Sequence, residues 1–137
     1  YEAEEKYDLI ICNPPFFQNS LLGDDSKRNM ARHTLSLSYE DLLNSCKVLL
    51  ATGGTVSILL PYSEYQYWLA LITKHGWQET APLMIRPRGD LAINRVVSVI
   101  QQKGNSATQT QELTIYEQAG IYTEAFKQLL ASFYLHL

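Results

Sequence analysis

Tyr7-Asp8-Leu9-Ile10-Ile11-Cys12-Asn13-Pro14-Pro15-Phe16 is an apolar run that stops at a proline-braced corner. Asp8 apart, residues 7 to 12 are apolar and rich in β-formers, which predicts a strand buried on both faces of a sheet. Asn13 precedes a proline and is pushed away from helical backbone angles. Pro14 and Pro15 fix φ twice and remove two N–H donors. The result is a stiff, extended bend at the carboxyl end of a strand, the edge at which open α/β sheets bind ligands. The bend carries one amide side chain, two carbonyls and an aromatic ring. Such a set suits a flat group bearing an NH2: oxygens accept its hydrogens and Phe16 stacks on its ring.

Upstream, Tyr1 to Lys6 is acidic, lacks the basic and apolar regions of a signal peptide, and carries no initiator Met. Downstream, a polar stretch to about Met30 has no periodicity, as expected of a functional or mobile loop, here a lid over the corner. Ser38-x-x-Asp41 predicts a capped helix start, with Leu42, Cys46 and Leu49 as its apolar stripe, widened by Leu43 and Leu50. Ala51-Thr52-Gly53-Gly54 should end that helix, and Thr55 to Leu60 should form the next strand, parallel to the first through a right-handed crossover. Ser63-x-x-Gln66 predicts another helix cap, Tyr65, Trp68, Leu69 and Ile72 a buried stripe, and Gly76 the stop.

Trp77 to Arg86 and Arg95 to Gln102 read as strands around a Pro87-Arg88-Gly89-Asp90 turn, hence an antiparallel late hairpin. Gly104 to Thr110 is a polar linker or hairpin tip, Leu113 to Tyr116 a short strand. Thr123 caps a last helix with Phe126, Leu129, Leu130 and Phe133 on one face. The sequence shows no internal repeat, and residues 1–137 read as a single partial domain.

The chain has 137 residues, 46% hydrophobic, with a formal net charge of −3. No apolar run reaches the roughly 20 residues needed to span a bilayer. Acidic excess lies at the ends. Between Lys27 and Lys103 there are nine basic residues (Lys27, Arg28, Arg32, Lys47, Lys74, Arg86, Arg88, Arg95, Lys103) and five acidic ones. That middle can face phosphate or be a mixed solvated surface, and the sequence leaves both open. Cys12 and Cys46 are far apart and, with three scattered histidines, give no metal spacing. Two buried thiols in a reducing cytoplasm is the simpler reading than a disulfide. His75 and His136 read as solvent-exposed, and Tyr65, Trp68, Phe126 and Phe133 as core.

Asn13-Pro14-Pro15-Phe16 after an apolar strand resembles the catalytic motif of S-adenosylmethionine-dependent methyltransferases that modify exocyclic or amide nitrogens. Further stretches narrow the likeness. They are Phe17, then Ala31-Arg32-His33-Thr34 with Leu35, Leu37, Leu42 and Leu43, Leu60-Pro61-Tyr62, and Tyr122-Thr123-Glu124-Ala125-Phe126 with Phe133-Tyr134-Leu135. Together they are similar to the bacterial tRNA1(Val) adenine-N6 methyltransferase family, over nearly the whole chain but only the carboxyl half of that family's domain. The resemblance implies an α/β fold: the carboxyl-terminal half of a Rossmann-like class I methyltransferase sheet, with mixed strands. It implies a cytoplasmic enzyme acting on the adenine at position 37 beside the anticodon, with S-adenosylmethionine as cofactor and tRNA as partner. Asn13, Pro14, Pro15 and Phe16 would be the catalytic corner, with Asn13 also touching the cofactor. Phe17, Arg32, His33 and Tyr62 would contact substrate. Arg32 and His33 can equally anchor the loop, and Tyr62 can simply fill space after Pro61. Arg86, Arg88 and Arg95 can touch tRNA phosphate or form a solvated rim.

No Gly-x-Gly-x-x-Gly is present. A class I methyltransferase holds its cofactor on such a turn after its first strand, with an acid after its second. The resemblance places both before Tyr1. The expectation is that this chain alone neither binds S-adenosylmethionine tightly nor turns over. The strand 7–12 would then be an apolar open edge, pairing with a second copy or covered by the amino-terminal segment. Two rival functions stay open: methylation of a glutamine side-chain amide in a protein, and a non-catalytic RNA-binding or dimerisation module.

Overall fold

The computed structural model describes residues 5–14, 38–103 and 109–134. The proposed lid, Arg32 and His33 after it, most of the 104–110 linker, and His136 lie outside these residues. The first strand, β1 (Tyr7–Cys12), runs into the Asn13-Pro14 corner. A helix, α1 (Tyr39–Leu49), follows the undescribed segment. Ser38 caps it as the spacing predicts: Ser38 Oγ accepts from the Asp41 N–H at 3.0 Å, and the Asp41 carboxylate accepts from the Ser38 N–H and O–H.

The second strand, β2 (Leu50–Pro61), begins five residues before its predicted start. Ala51 to Gly54 do not form a turn. Leu50 already has extended angles, φ −80° and ψ 136°, and its N–H closes the last helical turn on the Cys46 carbonyl. Gly53 takes φ +81°, a value glycine adopts freely, so the chain bends within the strand. The β1–β2 register shifts over the same stretch, between Tyr7 opposite Leu50 and Leu9 opposite Thr55.

After β2 the chain makes a 3₁₀ turn over Tyr62–Glu64 and then α2 (Tyr65–Lys74). Ser63 does not cap this helix. Glu64 is the flanking residue, and no side chain bonds back. Gly76, at φ +76°, ends it as expected. Next come β3 (Gln78–Glu79), β4 (Leu83–Arg88) and β5 (Arg95–Gln101), then β6 (Gln111–Gln118), β7 (Ile121–Tyr122) and α3 (Glu124–Leu130). The predicted strand 77–86 is thus two strands broken near Pro82, and Pro87 sits inside β4 instead of in the turn.

Among the described residues the strands form one mixed sheet in the order β1-β2-β5-β4-β6-β7, with β3 also on β5. The β1–β2 pair is parallel and the β4–β5 pair antiparallel, both as expected. β5 also pairs antiparallel with β2, and β6 lies parallel to β4. Val56, Ile58 and Leu60 of β2 and Val96 and Ile100 of β5 alternate onto one face. There they pack with Leu42, Leu43 and Cys46 of α1 and Tyr65, Trp68, Leu71 and Ile72 of α2.

The expectation that β1 is buried on both faces is corrected. Ile10 and Cys12 lean on the core, but Tyr7, Leu9 and Ile11 are exposed, Ile11 at 76%. β1 ends the sheet, so its outer backbone edge has no partner among the described residues. Phe133, expected in the core, is 81% exposed, and Phe126 is half-buried. The helical face of α3 is apolar, but β6 and β7 cover only its first turns, where Tyr116, Tyr122 and Phe126 stack in series at 4.9 Å. His75 is likewise not an exposed group: its ring is largely shielded and Nε2 lies 3.0 Å from Glu40 Oε1. That contact has ion-pair distance without hydrogen-bond geometry.

Candidate active site at the carboxyl edge of the sheet

Cys12 and Pro61 end two adjacent parallel strands, so the segments that follow them share one edge of the sheet. Asn13 is exposed there and Pro14 is buried, which leaves the amide side chain presented from a fixed base. The backbone after Cys12 leaves the β1 ladder at this point, as two prolines without N–H groups require. Pro15, Phe16, Phe17, Arg32 and His33 lie outside the described residues. Of the expected site residues, the structure places Asn13, Pro14 and Tyr62 on this edge.

Tyr62 is 40% exposed and lies 6.0 Å from Tyr65, nearly parallel to it. Its backbone N–H donates to the Asn94 carbonyl at 3.0 Å, and the Asn94 N–H donates to the Ile85 carbonyl at 3.0 Å. Asn94 thereby ties the end of β2 to β4. Because β5 runs antiparallel to β2, its first residue, Arg95, stands opposite Pro61. The β4–β5 turn, with Arg88 and Asp90, is therefore on this same edge. Sequence alone gives no sign of that adjacency.

Two further groups here escaped the sequence reading. Tyr39, the first residue of α1, is buried against Tyr67 and Trp68, with ring centroids at 6.3 and 5.5 Å. Glu64 closes the 3₁₀ turn after β2. Burial first, and the nearby Glu64 carboxylate second, push the Tyr39 phenol above its ordinary range. Neither Tyr39 Oη nor Glu64 Oε2 completes a hydrogen bond of good geometry among the described residues. The signal in the sequence is their position: Tyr39 directly follows the Ser38 cap, and Glu64 lies three residues past the strand-ending Pro61.

No family model matches the chain. Curated proteins do. The tRNA1(Val) (adenine(37)-N6)-methyltransferase of Vibrio campbellii is 32% identical over 137 residues, covering all of this chain and 56% of that protein. The protein of the same name from Shewanella loihica is 34% identical, over 99% of this chain and 58% of its own length. The chain belongs to the tRNA1(Val) (adenine(37)-N6)-methyltransferase family. It spans about half the length of these family members. Among solved structures, a predicted O-methyltransferase from Agrobacterium tumefaciens superimposes with a TM-score of 0.63 at 15% identity, over 91% of this chain and 51% of that one. The mixed sheet and its helices share the fold of about half of that structure.

For the tRNA1(Val) methyltransferase family a cofactor site is implied, and the described residues do not make one. Gly53 and Gly54 lie early in β2, at the opposite end of the sheet from Asn13. Gly54 is there for packing: a Cβ would stand 2.8 Å from the Leu50 side chain. No group of three or more metal-ligating side chains occurs among them, and no helix among them is long and apolar enough to cross a membrane.

Proposed function

We propose that this chain is the substrate-holding part of an enzyme that methylates the exocyclic nitrogen of an adenine in tRNA, at position 37 beside the anticodon of tRNA1(Val). S-adenosylmethionine, bound mainly by elements outside the described residues, supplies the methyl group. The observation that carries this reading is the exposed Asn13 on buried Pro14 at the end of a parallel strand. The names of the relatives that match the whole chain support it. Under this reading the chain is a single partial domain of a cytoplasmic protein, inactive by itself.

The adenine amine is a poor nucleophile because its lone pair is delocalised into the ring. Asn13 Oδ1 and the Pro14 carbonyl accept its two hydrogens. Held between two fixed acceptors, the nitrogen turns pyramidal and its lone pair is freed toward the methyl donor. Orientation of this kind supplies several kcal/mol of barrier reduction without a general base; as the N–C bond forms the donor's S–C bond would break, and the nitrogen then gives up one of its protons to solvent. The base must first leave the anticodon-loop stack. Phe16 stacks on it, a contact worth about 1–3 kcal/mol, while Phe17, Arg32, His33 and Tyr62 contact the flanking nucleotides.

Asn13→Ala in the full-length protein is the test. Because Asn13 is exposed, its melting temperature should stay at the wild-type value, while single-turnover methylation of tRNA falls about 100-fold, the scale of losing one preorganised hydrogen-bonding partner. Methylation at the wild-type rate would refute the mechanism. Transfer to a glutamine-containing peptide in preference to tRNA would move the reading to the protein substrate.

A further inference from the structure

We infer that Arg95 is a phosphate-binding residue for the nucleic-acid strand that delivers the base to Asn13. The inference rests on the proposed RNA substrate. Three arginines lie near this edge, and the structure separates them. Arg86 is engaged by Glu112, with Nη2 to Oε2 at 2.9 Å, and also reaches the Leu91 carbonyl. Arg88 holds Asp90 through two nitrogens, at 2.5 and 2.7 Å, a pairing that raises the guanidinium and lowers the carboxyl from their ordinary values. Arg95 meets no carboxylate among the described residues. Its one hydrogen bond donates to the carbonyl of its own neighbour, Asn94, at 3.0 Å, and the residue is exposed. That bond leaves most of a five-donor fork free, a shape matched to phosphate oxygens.

Position supports the same assignment. Val96 faces the core under α1 and α2, so Arg95 stands on the opposite face of the sheet. It shares that face with Pro61, its cross-strand partner, and through β2 with Ile11. Asn13 follows Ile11 by two residues. Cys12 is level with Ile58 and Arg95 with Pro61, across two strand spacings. Cys12, the residue before Asn13, and Arg95 therefore lie roughly 14 Å apart, from strand spacing and rise. One flipped nucleotide and its neighbour bridge that gap. Met84 packs on the core, so Arg86 and Arg88, at even spacing from it along β4, point to the helix face and away from this path.

The experiment is a salt series of tRNA binding by the full-length protein, for wild type, Arg95→Ala, Arg95→Lys and Arg88→Ala. Arg95→Ala should reduce the slope of log K against log salt by about 0.7–1, the loss of one phosphate contact. Arg95→Lys should keep the wild-type slope with weaker binding, and Arg88→Ala should leave the slope unchanged. Wild-type binding with an unaltered slope in Arg95→Ala overturns the inference and leaves the RNA reading standing. A wild-type protein that neither binds nor methylates tRNA removes both. A slope lost in Arg95→Ala and not restored by Arg95→Lys, with a lowered melting temperature, would assign Arg95 a structural role instead.

Discussion

Ser98 is fully buried, and its hydroxyl is used twice. It accepts from Trp68 Nε1 at 2.9 Å and donates to Glu79 Oε1, whose other oxygen accepts from Tyr65 Oη at 2.6 Å. The chain links α2, β3 and β5 and lets an indole and a carboxylate sit beside an apolar core. Ser98→Ala leaves the Trp68 N–H unpaired and should cost about 1–3 kcal/mol. A urea midpoint equal to wild type would show that the network contributes nothing. Cys46 gives a different test. Burial, with a smaller contribution from Cys12, pushes its thiol up to about 11 from an ordinary 9.0. The unfolded chain then loses the proton first as pH rises. The stability tied to this thiol is whole below about pH 9 and is lost on the way to about pH 11. Thermal melts at pH 8 and 10.5 should show a smaller alkaline drop in Cys46→Ala than in wild type, and equal drops would contradict it. Neither effect is legible in the sequence, where Ser98 is one polar residue in a strand pattern and Cys46 one apolar position on a helix.

The two longer helices start differently, and the contrast can be measured. Ser38 and Asp41 satisfy each other's backbone donors at the start of α1. Ser38→Ala should therefore cost about 1 kcal/mol. Ser63 opens the same Ser-x-x-acceptor motif, with Gln66, but makes no cap, because the chain leaving Pro61 first winds a 3₁₀ turn and Glu64 flanks the start of α2. Ser63→Ala should stay within about 0.5 kcal/mol. Chemical denaturation of both variants decides it, and equal losses would mean that sequence spacing alone sets the cap. The same competition explains the start of β2. A Gly-Gly pair reads as a break, yet pairing of Leu50 with Tyr7 keeps residues 51–54 in the sheet and turns the glycine freedom into a bend.

At the scale of the molecule, the decisive feature is the bare side of β1. Leu9 and Ile11 expose apolar side chains on one face, and the outer backbone edge is unpaired among the described residues. An apolar free edge is a template for pairing. The isolated chain should self-associate through β1. Ile11→Lys should shift it toward monomer in light scattering at micromolar concentration. A wild-type chain that is monomeric under those conditions would sink the proposal. In full-length protein the same substitution should instead destabilise, if the rest of the polypeptide covers this face.

The run from Tyr7 to Pro14 was decided locally: β-formers make a strand, and two prolines must end it, whatever surrounds them. The Ser38 cap, the Gly76 stop and the apolar stripes of α1 and α2 followed from equally short-range rules. How deeply β1 is buried, whether Phe133 finds a partner, and which arginines remain free after ion pairing depend on which strands lie side by side. The strand order β1-β2-β5-β4-β6-β7 settled those points. It joins residues far apart in the chain, and such contacts are set by total burial and backbone hydrogen bonding across the sheet, which no short stretch encodes.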